Sequence, residues 1–506
     1  MRAASATASC RWASRGTASF ALASGAIIAA LFACSDDRAG PAPVYLSRDE
    51  LMDPVTCAQC HQKHYDEWAS SMHAYAADDP IFVAMNRRGQ REAAIGDFCV
   101  NCHAPMAVRT GATEDGLNLD SLPGKLKGVT CYFCHSVNGV EGTHDNPLTL
   151  ADDGMMRGQF ADAVPSSAHG SLYSPLHDRD QLESAKLCGT CHDIVNDRGA
   201  HIERTYAEWQ ASVFSEPVIG TTCGQCHMDQ STNLEPAAQA PGVFSRRLHS
   251  HRFPAVDLPL IPAPGAEALA EGVQAFLDTS LQSALCVRGT AGAAQIQVVL
   301  DNVAAGHRWP SGSAQDRRAW VEVTAYAAGA VIYQSGAVPP GTSVTDLSDP
   351  DLWLIRDCLF DEQGAEVHMF WEAAEYESNL LPAQVTFDQS DPRYYQSHVF
   401  QSYPRSAVLP VYPDRVTLRV HLQPIGLDVF DQLVQTGDLA DTSEYSVADL
   451  RAKLTPLRVG DELEWTRDSA TETYFEAGLP VTCVSTTNLS GSADKVPAVN
   501  HERCGP

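Results

Sequence analysis

The chain has 506 residues, of which 44% are apolar and 19% charged, and its formal net charge is −28. This length is more than one ordinary core needs, so a folded, soluble protein of two or more domains is expected. The charge argues against nucleic acid or an anionic membrane surface as a partner, because both would repel it, and leaves room for a basic protein.

The N-terminus reads as an export signal. Arg2, Arg11 and Arg15 make it positive, and the apolar stretch from Phe20 to Ala33 is too short to span a bilayer comfortably. Leu31-Phe32-Ala33-Cys34 resembles a lipobox, which would make Cys34 the lipidated first residue of the mature chain. A plain signal cut near Ala33 is the alternative. Ser35 after Cys34 resembles outer-membrane sorting. Residues 1–33 carry three arginines and no acids, so their removal changes −28 to −31. Residues 34–50 are polar with prolines and read as a tether. The expected location is the periplasm or the outer membrane, with a lipid on Cys34 as the anchor. Sixteen cysteines fit an exported chain. No later segment is long and apolar enough for a transmembrane helix.

Between residues 51 and 255 a C-x-x-C-H motif occurs five times: Cys57-Cys60-His61, Cys99-Cys102-His103, Cys131-Cys134-His135, Cys188-Cys191-His192 and Cys223-Cys226-His227. This spacing suits covalent haem. Two thiols add to the two vinyl groups, and the next residue, His, lies under the iron as proximal ligand. A zinc site would need paired C-x-x-C units without a fixed His after each. Disulfides would not explain five histidines at one position. The cofactor reading is five c-type haems with iron. Porphyrin plates then form much of the core, wrapped by short helices and loops, and long strands are not expected.

Each iron needs a sixth ligand for pure electron transfer. His73, at the end of Tyr65-Asp66-Glu67-Trp68-Ala69-Ser70-Ser71-Met72-His73, is the best distal candidate. On a continuous helix it lies ~18 Å beyond His61 and would serve a neighbouring haem. His144 and His169 sit in loops and complete haems nearby. In Leu248-His249-Ser250-His251, His251 is favoured. His307, between Gly306 and the turn Pro310-Ser311-Gly312, is placed to reach out of a β-domain. His64 reads as exposed, and His177 and His201 as non-ligands. Met106 and Met228 follow motifs so closely that packing is expected of them.

The first motif with Tyr65, Trp68, Ser71 and His73 resembles the multihaem cytochromes related to hydroxylamine oxidoreductase and the tetrahaem cytochrome of ammonia oxidisers. Tyr206-Ala207-Glu208-Trp209-Gln210-Ala211-Ser212 repeats Tyr-x-Glu-Trp-x-x-Ser, with Phe214 where the first copy has His73. Gly306 to Gly312, with Arg317-Arg318-Ala319-Trp320, is similar to β-domains fused to such cytochromes. The resemblance implies electron carriers and also enzymes of nitrogen-oxide chemistry. The C-x-x-C-K motif of ammonia-forming nitrite reductase is absent.

Residues 256–284 read as a linker containing a short helical pattern, Ala266 to Ser280. From 285 to 506, strand runs at Gln295–Leu300, Trp320–Tyr326, Val331–Tyr333 and Arg415–Leu422 predict a β-sandwich-like domain. Short helices are expected at Val429–Val434 and Val447–Leu454. Cys286 with Cys358, and Cys483 with Cys504, is the expected pairing among three possibilities. Met369-Phe370-Trp371, His368, His398 and His421 read as structural. The predicted class is α+β: a helix-and-loop pentahaem domain followed by the β-domain.

No catalytic residue stands out. The leading expectation is electron transfer among redox proteins or other cytochromes, basic ones included. The alternative is an oxidoreductase with one open haem, acting on a small nitrogen oxide or similar oxyanion. Five proximal and five distal candidates favour the carrier; a distal histidine that fails to reach iron favours the enzyme.

Overall fold

Asp53 and Asp79 each accept a hydrogen bond from the second residue of a helix that opens on proline, Pro54–Ala69 and Pro80–Ala93. Both are strong starting signals, since proline lacks the amide that would be left over at a helix start. These two helices lead a computed structural model that describes residues 45–487, 497–499 and 504. The signal, Cys34 and most of the tether lie outside the described residues. Among the described residues no helix is long and apolar enough to cross a membrane.

Up to residue 255 the regular elements are short. The motif helices are Val100–His103, Cys131–Ser136, Ser184–Gly189 and Cys223–His227, and the first motif lies within Pro54–Ala69. The strands form two-stranded ladders, the longest strand being Gln230–Pro236. The stretch from Tyr65 to His73 is not one helix. Ser70 ends Pro54–Ala69, and the Ser71 side chain caps a new turn, Met72–Tyr75. Serine hydroxyls compete well for backbone groups at such breaks.

The β-rich part holds two five-stranded sheets. In the first, the strand order is His398–Tyr403, Ala293–Asn302, Leu281–Thr290, Leu479–Ser485 and Glu472–Glu476. In the second, Ala330–Ser335, Arg318–Ala327, Arg415–Gln423 and Leu457–Thr466 follow in order, and Trp353–Ile355 also pairs with Arg318–Ala327. All these pairings are antiparallel. Leu285, Val287, Ile296 and Val298 of one sheet share a core with Val321, Val323, Leu418 and Val420 of the other. Alternate residues face the opposite way, as the two-residue period of a strand requires: Ala284 and Cys286 pack with Val481 and Cys483.

The helix Ala266–Ser280, read from sequence as part of a linker, buries Leu269, Val273 and Leu277 in the shared core. Their spacing of four makes one apolar stripe, which the sheets cover. Helices form at Leu427–Gln435 and Val447–Lys453, close to the expected positions. Their Phe430, Leu433 and Leu450 pack with Ile81 and Ala84 of Pro80–Ala93, so residues from 45 onward make one compact unit.

The disulfides differ from the expected pairing: Cys286 joins Cys483, and Cys358 joins Cys504. Leu281–Thr290 and Leu479–Ser485 are neighbours in one sheet, and their register sets Cys286 opposite Cys483. Met369 and Trp371 are buried as expected, whereas Phe370 stacks on Phe98 and faces the cavity described next.

Candidate functional site

All ten motif cysteines and all five motif histidines line one continuous cavity of about 1640 Å³. Threonine side chains start two of the motif helices, Thr130 accepting from Phe133 and Thr222 from Gln225, which aims the following Cys-x-x-Cys-His turns inward. Its walls are mostly apolar, and so large a space with such walls suits large apolar occupants. Among the described residues no group of three or more His, Cys, Asp or Glu converges on one point to hold a bare ion. Thiol pairs beside single imidazoles fit five haems.

The imidazoles are oriented alike. Nδ1 of His61 meets the carbonyl of Ala237 at 2.7 Å, that of His103 meets Ala76 at 3.1 Å, that of His135 meets Arg157 at 2.5 Å, and that of His227 meets Pro254 at 2.8 Å. His192 differs, its Nδ1 lying 3.2 Å from the Glu203 carboxylate. A hydrogen placed on Nδ1 leaves Nε2 with a lone pair toward the cavity, the tautomer a metal-binding histidine requires. Burial lowers the pKa of His73 to about 3 and that of His227 to about 4, so both rings are neutral. Burial also pulls His192 down, but the hydrogen bond and charge of Glu203 outweigh it and push its pKa up to about 9.

Four motif histidines face a second imidazole. Metal–imidazole bonds of about 2.0–2.1 Å put two rings on opposite sides of one iron with centroids roughly 6.3 Å apart. His61 and His169 stand 6.3 Å apart, His135 and His251 6.3 Å, His227 and His307 6.5 Å, and His192 and His73 6.2 Å. The first three pairs are near parallel, at 25°, 23° and 10°; the fourth is crossed at 65°. Nδ1 of His169, His251 and His307 meets the carbonyl of Gly170, His249 and Arg308 respectively. His307 comes from the β-rich part, where the Asn302 amide at a strand end donates to its carbonyl.

His144 does not join them. It is exposed and outside the cavity lining, with Nδ1 2.7 Å from Asp145. Asp145 and Asn146 adopt positive φ and tie their amides to the carbonyls of Asp193 and Thr190, which turns His144 outward. The structure therefore does not bring His144, expected as a ligand, to the other candidates. Among the described residues no other imidazole takes its place opposite His103, whose ring stacks on Phe82 at 4.0 Å.

His64, expected to be exposed, is half-buried in the cavity and 4.8 Å from the His251 ring. His177 has both nitrogens occupied, by Ser174 and the Cys134 carbonyl, and His201 lies outside the cavity lining near Asp193. Met106 is buried in a side cluster, and Met228 lines the cavity. Sequence reasoning missed Glu203, Phe82 and the ring of Phe276 stacked on His227 at 5.1 Å. No local pattern marks them, because each reaches its histidine through the fold.

The family model for cytochrome c554 and c-prime matches residues 56–136, which contain the first three motifs. A solved structure described as a penta-heme cytochrome c552 from Thermochromatium tepidum is similar to the chain at 19% identity, with a TM-score of 0.55. The match covers 84% of this chain and 100% of that one. The family match over the first three motifs supports a multihaem c-type cytochrome. At such identity the structural likeness shows the fold, and neither finding bears on hydroxylamine oxidoreductase. No match is found among curated proteins.

Proposed function

We propose that this multihaem c-type cytochrome carries five haems and passes electrons among them, with four irons held between two histidines and the fifth held by His103 alone. The observation that carries this reading is the set of four imidazole pairs at one spacing. A bound haem supplies a one-electron couple. The chain's part would be to attach it through the two cysteines, to offer imidazole nitrogens to its iron, and to keep water out.

The thiols indicate an order of contact. Cys57 lies beside Cys131, Cys102 beside Cys191, and Cys188 beside Cys223. Cys134 also feels the charge of Cys188. The first motif thus adjoins the third, and the fourth adjoins the second, third and fifth. The fourth is a junction at which the other runs meet.

The His103 position favours a second reading, in which its run ends at a site for a small nitrogen oxide or similar oxyanion. Electron paramagnetic resonance of the oxidised protein, with spin quantification, tests both. Four low-spin haems and one high-spin haem are expected; five low-spin haems would overturn the open site. A high-spin signal that changes on adding nitrite or hydroxylamine supports the second reading, and one that does not leaves electron transfer alone.

The partners in this reading are other redox proteins or cytochromes, basic ones included, given the net charge of −28. The N-terminal signal and Cys34 support work in the periplasm or at the outer membrane.

A further inference from the structure

The two copies of Tyr-x-Glu-Trp-x-x-Ser make the same contacts at two different places. In the first copy, the Trp68 indole donates to the Val129 carbonyl at 2.7 Å, two residues before Cys131. In the second, Trp209 donates to the Thr221 carbonyl at 2.9 Å, two residues before Cys223. Ser71 and Ser212 each donate to the carbonyl of the copy's own tryptophan at 2.7 Å, and each tyrosine stands 5.9 Å from it. Thr130 and Thr222, next in line after the clamped carbonyls, cap the two motif helices with the same backbone angles.

The glutamates reach the other side of the same two sites. Glu67, buried, accepts from the backbone amide of His251 at 3.0 Å. Glu208 accepts from the amide of Arg308 at 3.3 Å and from the Ser311 hydroxyl at 2.6 Å, beside His307. His251 faces His135 of the third motif, and His307 faces His227 of the fifth. Each copy thus grips the proximal motif with its tryptophan and the distal histidine loop with its glutamate, for one and the same haem. A carboxylate accepting from backbone amides makes a charge-assisted bond, stronger than a neutral one. The second copy does this across the boundary between the two halves. There Phe214, which replaces the histidine of the first copy, lies near Gly306 directly before His307: a Cβ at Gly306 would meet its ring at 3.9 Å.

We infer that Tyr-x-Glu-Trp-x-x-Ser is a positioning element that spans one haem, with Glu67 fixing His251 and Glu208 fixing His307 on their irons. This rests on the ligation proposed above. It goes beyond it by naming residues that touch no haem iron and yet set its sixth ligand, and by assigning one copy to the third haem and the other to the fifth.

The test uses the full-length haem-loaded protein, a haem count and electron paramagnetic resonance. Glu208→Ala is expected to keep all five haems and to add one high-spin haem, the same one that His307→Ala opens. Glu67→Ala is expected to open the haem that His251→Ala opens. Glu208→Gln keeps one acceptor oxygen and should restore the low-spin state, which a general loss of stability would not predict. A Glu208→Ala spectrum equal to that of the unsubstituted protein, or one that opens the His251 haem, overturns the inference. If Glu208→Ala does not accumulate with haem, Ser311→Ala removes half of the contact and is read in the same way. Should His307→Ala itself add no high-spin haem, the underlying ligation has failed, and the inference falls with it.

Discussion

Histidine serves two ends in this molecule, and its second nitrogen tells them apart. In the β-rich half, His398 is fully buried with both nitrogens engaged: Nδ1 lies 3.3 Å from the Ser397 hydroxyl and Nε2 lies 3.0 Å from Asp301. In the other half, His61, His103, His135 and His227 use Nδ1 on a carbonyl and leave Nε2 facing the cavity. The cores differ in the same sense. The sheets close on Trp353, Trp465, Leu285 and Ile296, all without exposed surface to speak of. The motif-bearing half closes on a space, so its core is complete only with its cofactors.

The largest expected effect follows from that contrast. Chain made without haem attachment should lose amide-exchange protection through residues 54–253, while the two sheets keep theirs, because the apolar walls of the cavity would then face water and the sheets carry their own core. Hydrogen exchange followed by mass spectrometry reads this directly. Equal protection in both halves would break the comparison. At the level of single residues, His398→Ala removes one of three partners of the buried Asp301, which keeps the Ser397 and Thr487 hydroxyls, and should cost about 1–3 kcal/mol in thermal or denaturant unfolding, with an unchanged haem spectrum. His307→Ala should do the reverse, adding one high-spin haem with little loss of stability. If both variants moved the same observable, the distinction drawn from the second nitrogen would be wrong.

The motifs were legible because covalent attachment demands a fixed local spacing, and the two-period strands because each buries one face. His73, His169, His251 and His307 could be picked out as candidates, but their partners could not, since which histidine meets which iron is a matter of the whole fold. The groups that orient the rings were invisible for a different reason: a backbone carbonyl belongs to every residue. His144 was a candidate like His169, but beside the positive φ of Asp145 and Asn146 it is exposed. The disulfides were mispaired because the first strand of the β-rich part lies beside its last, a contact at a sequence separation of 197. The stripe of Leu269, Val273 and Leu277 was present in the sequence, and only its neighbouring prolines made the segment read as a linker.

A smaller effect sharpens the comparison among the cavity histidines themselves. His192 alone of the five motif histidines faces a carboxylate, and Glu203 is largely buried. A negative charge held against the proximal ring favours the oxidised iron. Glu203→Gln keeps the shape and removes the charge, so one midpoint potential should rise by on the order of 60 mV, the one-electron equivalent of a tenfold change. Spectroelectrochemical titration would show it as the lowest component moving up while the haem count stays fixed. Since the fourth motif adjoins three others, a junction haem of low potential would pass electrons on to its neighbours and retain few. A titration that superimposes on that of the unsubstituted protein would leave Glu203 with a packing role only.

The smallest expected effect is the one that decides how the His103 site is read. His144 is exposed, and its ring partner is the adjacent Asp145, so His144→Ala should change stability by about 0.5 kcal/mol or less and leave every haem signal where it was. The structure gives a reason for expecting so little: the loop is fastened by the backbone amides of Asp145 and Asn146 and by the Asp145 carboxylate accepting from Val195, none of which needs the imidazole. Were His144→Ala instead to convert a low-spin haem to high-spin, the loop would have to swing inward when haem is attached. His103 would then have its sixth ligand, and all five irons would be closed. The reading would return to electron transfer alone. An unchanged spectrum leaves His103 as the one motif histidine without an opposing imidazole among the described residues, and makes its distal face the place to look for a small ligand.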